Sequence, residues 1–323
     1  MIDLSLTEGE RALVVAARES ANKLFPRHKS LEASRAGRAV DLASVSWRES
    51  ARLGWFGLTM AESVGGLQMR LVDEVLVLME LGRQAVPGPI IGTILAARLA
   101  KPTLAELTME FIQGESVAAV LVDGMVSGAG AGDYAISFEG RQPTLLRIIS
   151  AETVEGADDS VMTSRVLESE EIMQGNSSLD QTRGLLVSAY LVGIAESMTA
   201  MSAEYACARE QFGVPIGSFQ AVKHRCAEMA IRAHVARAQL LVAALLAESN
   251  AGGTVVEANA ALLLSIEAAR RNAEDNVQNH GGIGFTAEHA AGLLVKRVHT
   301  SIAQAPHLDV LEPLLLSPRT TLG

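Results

Sequence analysis

Between residues 178 and 304 the chain carries four long helical segments, near 179–211, 218–250, 254–280 and 286–304, parted by short breaks rich in glycine and proline. The breaks hold Gly213, Pro215 and Gly217, then Gly252 and Gly253, then Gly281, Gly282 and Gly284. Connections this short let each helix only turn back along its predecessor, so the segment is predicted to form an antiparallel four-helix bundle. Whatever else the chain builds has to pack around that bundle. The composition agrees: 49% of residues are hydrophobic but only 4% aromatic, and Ala, Leu and Val, residues of packed helices, carry most of the apolar content.

The 323 residues are enough for more than one core, and the texture changes twice. Residues 1–113 read as a helical N-terminal domain. Thr7 and Glu10 have capping-box spacing ahead of Leu13, Val14 and Ala17. Further helical periodicity covers 42–53, 71–81 and, after Pro87 and Pro89, 91–100. Residues 114–177 read as a small, shortened β middle domain, from the runs VAAVLVDG, DYAISFEG and TLLRIIS. Its GAGAG tract lacks a following GK[ST] and precedes a strand-like run, so it is predicted to be a turn and not a phosphate loop. Residues 178–323 are the bundle and an irregular tail containing Pro306, Pro313 and Pro318. The fold class is therefore mostly α with a small β domain.

Several function classes are disfavoured. A net charge of −10 with no dominant basic run argues against nucleic acid as a partner. Cys207 and Cys226 form no CxxC and point to neither a disulfide framework nor a zinc site. The N-terminus has no signal-like apolar run, and no stretch reaches the roughly 18 consecutive apolar residues of a membrane span. The best, 184–195, stops at Glu196. A reducing cytoplasm and no membrane are the expectation.

Two of the bundle's breaks carry unusual chemistry. Residues 209–220 read R-E-Q-F-G-V-P-I-G-S-F-Q, with Ser218 a candidate N-cap for the next helix. Arg209 could hold a phosphate in a bidentate manner. Gln211 and Gln220 offer amides, and Phe212 and Phe219 offer flat apolar surface. An ordinary helical hairpin, with Phe219 in the core and Arg209 answering the helix dipole, explains the same residues. Residues 276–285 read N-V-Q-N-H-G-G-I-G-F, where successive glycines suit either a ligand lying on bare peptide or a plain helix stop.

Together these motifs resemble the acyl-CoA dehydrogenase family. The R-x-Q-F-G-x-P-I-x-x-F-Q turn is followed some sixty residues later by Q-x-x-G-G-x-G-F. In the N-terminal zone L-G-W-F-G-L at 53–58, then Glu62, Gly65 and Gly66, then E-L-G-R at 80–83 follow that family's order. The resemblance covers about 1–100 and 178–304. It implies the same architecture, and α,β-dehydrogenation of an acyl-CoA thioester with FAD as hydride acceptor and electron-transfer flavoprotein as onward acceptor. In that family the C-terminal turns of one subunit complete its neighbour's FAD site. Carried over, Arg209 would hold the pyrophosphate beside Gln211, Phe212 and Gln220, and Gln278, Gly281 and Gly282 would line the adenosine side.

The family's catalytic glutamate has no counterpart here. One of its usual places falls in Ala303-Gln304-Ala305-Pro306, and the other at Thr182 within Leu179-Asp180-Gln181-Thr182-Arg183. The T-E-x-x-x-G-S-D segment that contacts the flavin ring is missing as well. Glu288, Asp309, Asp180, His280 and His289 read better as helix-end or solvated groups than as bases. No catalytic residue is therefore assigned. The resemblance points to the short, non-catalytic subunit of actinobacterial heteromeric dehydrogenases that act on steroid side-chain CoA thioesters. Its expected partner is a paralogous catalytic subunit, in an α2β2 arrangement. A self-sufficient enzyme with a displaced carboxylate and a flavin-free structural paralogue are the other two readings.

Overall fold

The computed structural model describes residues 4–37, 39, 45–100, 104–140, 142–249 and 254–307. Its first helix, α1 (Glu8–Leu24), begins at the capping box read from the sequence: Thr7 Oγ1 accepts from the Glu10 N–H at 3.2 Å and the Glu10 carboxylate from the Thr7 N–H at 2.7 Å. Then come α2 (Arg27–Arg35), α3 (Val45–Arg52), α4 (Leu71–Gln84), α5 (Ile90–Ala100) and α6 (Ala105–Gln113). The sequence reading missed α2 and α6. α2 is nearly all polar and offers no apolar stripe, and α6 is a short helix closed by Gly114 in the left-handed region (φ +70°).

The β unit contains β1 (Ala118–Val120), β2 (Met125–Ser127), β3 (Tyr134–Ser137), β4 (Thr144–Val154) and β5 (Thr163–Gln174), in the order β1-β3-β4-β5-β2. Only the β1–β3 pair is parallel. Residues 128–133, with the GAGAG tract, form a turn between β2 and β3 in which Asp133 accepts from the Gly130 N–H at 2.9 Å. β5 went unread because Glu168, Glu170 and Glu171 interrupt its apolar pattern; its outer face is solvated and its pairing with β4 holds it.

The bundle follows as α7 (Ser178–Ala208), a two-stranded hairpin of β6 (Glu210–Gln211) and β7 (Val214–Pro215), then α8 (Gln220–Glu248), α9 (Thr254–His280) and α10 (Ala290–Ala303). Three boundaries differ from the sequence reading. α7 stops at Ala208, because the hairpin takes the next residues. Ser218 is not an N-cap: it sits in a 3-10 turn, and Phe219 caps α8 without any side-chain bond. α10 starts at Ala290, where the His289 side chain accepts from the Ala291 N–H at 3.2 Å. Gly252, Gly253 and Asp309 lie outside the described residues.

α7 is the hub, packed by α4, α8, α9 and α10. By length and mean hydropathy α7 and α8 would both pass as membrane spans, but 78% of the apolar window of α7 is buried inside the protein, against 39% for α8. α4 crosses α7 through a pair of glycines. A Cβ on Gly82 would stand 2.0 Å from the Tyr190 carbonyl oxygen, and one on Gly193 would stand 1.9 Å from that of Met79. Gly193→Ala is therefore expected to cost about 3 kcal/mol through overpacking. A urea midpoint equal to that of the wild type would show that the helices can part without loss.

Candidate functional site

Contacts between helices fix where the two motif turns lie. Asn272 of α9 donates to the Ala195 carbonyl of α7, Ser202 donates to Asn276, and the rings of Tyr205 and His280 stack at 4.3 Å. Positions on both helices advance together, so α7 and α9 run parallel and finish at the same end of the bundle. α8 runs the other way, with Arg225 bonded to Asn279 and Arg232 to Asn272, so it starts at that end. The topology thus gathers residues 209–220 and 278–285 at one pole.

The first turn is a two-residue hairpin whose central residues, Phe212 (φ +53°) and Gly213 (φ +79°), are both left-handed. That backbone is ordinary for glycine and unfavourable for an aromatic residue. It leaves Phe212 93% exposed, 6.1 Å from the ring of Phe219. Arg209 is exposed, and among the described residues its side chain has neither a hydrogen bond nor an ion pair. Gln220 opens α8. Lys223, one turn in and also exposed, places a cation at the positive end of the helix dipole, a conflict that an anion would relieve. Lys223 was not singled out from the sequence, although a lysine in the opening turn of a helix with no acidic residue there is a readable signal.

In the second turn Gly281 is left-handed (φ +65°), and a Cβ on either Gly281 or Gly282 would meet nothing within 4 Å, so bare peptide faces open space. Phe285 is 82% exposed. His280 is buried, its Nδ1 2.7 Å from the Asn276 carbonyl, and its ring lies between those of Tyr205 and His289. Burial and the neighbouring His280 hold the His289 imidazole below its ordinary pKa, which keeps Nδ1 free to cap α10. This ring stack ties the two turns together. All seven residues proposed from the sequence, Arg209, Gln211, Phe212, Gln220, Gln278, Gly281 and Gly282, are exposed at this pole. A free guanidinium, amides, open peptide and upright phenyl rings suit the phosphates and planar base of a dinucleotide.

The cleft between the bundle and the β unit is built in the opposite sense. Pro306 packs against Gly184, where a Cβ would lie 3.5 Å from its ring, so the segment 303–306 reaches α7 just past the segment 179–183. Neither position at which a catalytic carboxylate was sought holds an acid. Arg297 of α10, with only 4% exposure, occupies the cleft. It donates to Asp158 at 2.5 Å, to the Ala85 carbonyl at 2.7 Å and to Ser160 Oγ at 2.8 Å. Tyr190 closes one side, its hydroxyl bonded to the Val86 carbonyl at 2.7 Å. Burial raises the Asp158 carboxyl, but the charge of Arg297 and the bonds from Ser160 and Arg297 outweigh it and hold the group below the usual range. The remaining cavity, lined by Ile91, Asp158, Tyr190, Arg297 and Gln304 among others, is about 30 Å³. That is room for one or two waters. A much larger cleft, about 1110 Å³, opens between α3, α6 and the β unit, lined by Trp47, Arg52, Gly128, Asp133 and Met162 among others. Sequence reading missed this pair because Arg297 and Asp158 are 139 positions apart and carry no motif.

Asp180 lies in the first turn of α7, 2.6 Å from Arg183, whose guanidinium sits 3.9 Å over the ring of Phe138. Glu288 is exposed and precedes α10 without belonging to it.

The profile of the acyl-CoA dehydrogenase C-terminal domain matches residues 173–302, and that of the N-terminal domain matches residues 7–110. Acyl-CoA dehydrogenase IpdE2 of Mycobacterium tuberculosis is 35% identical over 94% of this chain and 93% of its own length. Acyl-CoA dehydrogenase IpdE2 of Mycolicibacterium smegmatis is 31% identical over 88% of this chain and 91% of its own. Among solved structures, the ChsE4-ChsE5 complex from Mycobacterium tuberculosis superposes with a TM-score of 0.81 at 22% identity, covering 99% of this chain and 100% of that one. Butyryl-CoA dehydrogenase from Megasphaera elsdenii gives 0.77 at 17% identity, covering 97% and 98%. A variant of the steroid ACAD Tcur3481-Tcur3483 gives 0.77 at 21% identity, covering 96% and 97%.

Proposed function

The chain belongs to the acyl-CoA dehydrogenase family, and on that premise we propose that it is the non-catalytic subunit of a heteromeric, FAD-dependent acyl-CoA dehydrogenase. In this reading the units 1–113, 114–177 and 178–323 form a scaffold that presents the bundle's pole to a paralogous subunit, which carries the catalytic glutamate and most of the flavin contacts. FAD would supply the hydride acceptor for α,β-dehydrogenation of an acyl-CoA thioester, with electron-transfer flavoprotein as onward acceptor. Arg209 would neutralise pyrophosphate charge, with Gln211, Phe212 and Gln220 beside it. Gln278, Gly281 and Gly282 would offer backbone and amide surface to the adenosine end. The chain's part is to hold and orient; it moves no proton. A steroid side-chain CoA is the proposed substrate class, in keeping with the steroid ACAD among the structural relatives.

The observation that supports this reading is a contrast: the pole carrying the two motif turns is exposed with an unpaired arginine, while neither place at which the family keeps its catalytic glutamate holds an acid, Thr182 standing at one and Ala303-Gln304-Ala305-Pro306 at the other. Expressed alone, the chain is expected to purify without flavin and without dehydrogenase activity. Co-expressed with a paralogue that has an intact glutamate, it is expected to give a yellow, active complex. A yellow, active preparation of the lone chain would overturn the proposal and favour a self-sufficient enzyme.

A further inference from the structure

A second polar cleft opens where α1, the start of α2, α4 and α7 meet, on the stretch of α7 that precedes the first motif turn. It has a volume of about 250 Å³ and is walled by arginines 18, 27 and 83 with Ser197 and Glu204. The charges around it do not cancel. Glu80 is shared by Arg18 at 2.8 Å and Arg83 at 3.2 Å. Glu196 is shared by Arg83 and by Arg237, the latter at 3.3 Å. Arg27 is left over. Among the described residues it has no carboxylate within ion-pair distance, and its Nη2 donates only to neutral oxygens, the Arg83 carbonyl at 2.6 Å and Ser197 Oγ at 2.8 Å. Its Nε is buried without any acceptor.

Arg27 is half-buried, and a guanidinium partly withdrawn from water without an anion carries a cost. Burial and the charge of Arg83 both push Arg27 below its ordinary pKa, and Tyr190 and Glu204 only partly oppose them. The cavity beside it is several times the ~30 Å³ share of one water, enough for a small oxyanion with its hydration. Asn22 and Glu204 on the rim are exposed, so the cleft is reachable from solvent. We propose that this cleft is a binding site for a single phosphate or carboxylate group, held by Arg27 as its main charged donor, with Arg18 and Arg83 at the mouth. Glu204 guards the rim and competes for the same guanidinium. None of the seven residues assigned to the dinucleotide lines this cleft, and nothing in the proposed function requires it.

The test is calorimetric titration of the full chain in chloride buffer with inorganic phosphate and, separately, with acetate. Both are done on the Arg209→Ala background, so that the unpaired arginine of the motif turn cannot contribute. Saturable binding of at least one anion is expected, and the tighter of the two identifies the class of the natural ligand. Arg27→Met is expected to weaken it roughly ten- to hundredfold, the scale of a lost charge-assisted pair. Should that variant not fold, Glu204→Gln decides: removing the rim carboxylate is expected to tighten phosphate severalfold. No saturable binding of either anion, binding untouched by Arg27→Met, or a Glu204→Gln affinity equal to or weaker than the parent's would each overturn the proposal.

Discussion

Arg297→Ala is expected to destabilise the folded chain by about 3–5 kcal/mol, the scale seen when one member of a buried ion pair is removed and the other is left uncompensated. Arg297 joins α10 to the loop holding Asp158 and Ser160, and to the Ala85 carbonyl at the end of α4, so the loss should appear as loosening of the β unit from the bundle. The sign with pH follows from the depressed Asp158 carboxyl. A group held low in the folded state contributes stability above its unfolded value of about 4 and loses it as pH falls through the folded value. The gap between wild type and Arg297→Ala in urea unfolding should therefore be full at neutral pH and shrink below about pH 4. Replacing both partners, as Arg297→Met with Asp158→Leu, should recover most of the loss, because an apolar pair of similar volume is often as stable as the ion pair. A gap of under 1 kcal/mol at neutral pH would mean that the cleft is not closed by this pair.

Arg209→Ala in the complex with a catalytic partner is expected to weaken FAD by about 2–3 kcal/mol, or roughly 30- to 150-fold, as the loss of a charge-assisted contact to a phosphate. Because Arg209 is exposed and makes no side-chain bond in the chain itself, unfolding should be unchanged. That combination, lower affinity with unaltered stability, separates a ligand contact from a structural role. Arg209→Lys should fall between the two, keeping charge and losing the bidentate fork. Equal flavin content and affinity in wild type and Arg209→Ala would remove the assigned role.

Much of the scaffold is legible in residue patterns because its devices are local. The Thr7–Glu10 box starts α1 as spaced, and α4 and α5 fall within one to three residues of the predicted spans. The glycine cluster after His280 ends α9 where it was placed. The misses share a physical cause, namely that the deciding partner is distant in sequence. β5 is held by its ladder with β4 in spite of its glutamates. The start of α10 is set by an imidazole cap that no N-cap preference would nominate. Gly82 was read only as part of a motif, yet its reason is the Tyr190 backbone pressed against it from α7.

The site divides along the same line. Its exposed half could be proposed from the sequence because the two turns are contiguous motifs; that they share one pole follows from the parallel course of α7 and α9, which Ser202–Asn276 and Tyr205–His280 reveal only in three dimensions. The missing carboxylate could be read as an absence at Thr182 and at Gln304. The buried pair of an arginine from α10 and an aspartate of the β unit, which lines the same small cavity as Gln304, could not.

The claim on which the rest depends is that this polypeptide grips a dinucleotide whose reactive ring is seated in another chain. Counting flavin against polypeptide in the purified heteromeric complex tests it directly. Because this chain has neither the family's catalytic carboxylate nor its flavin-ring segment, one FAD is expected for every two chains. One FAD for each chain would contradict it.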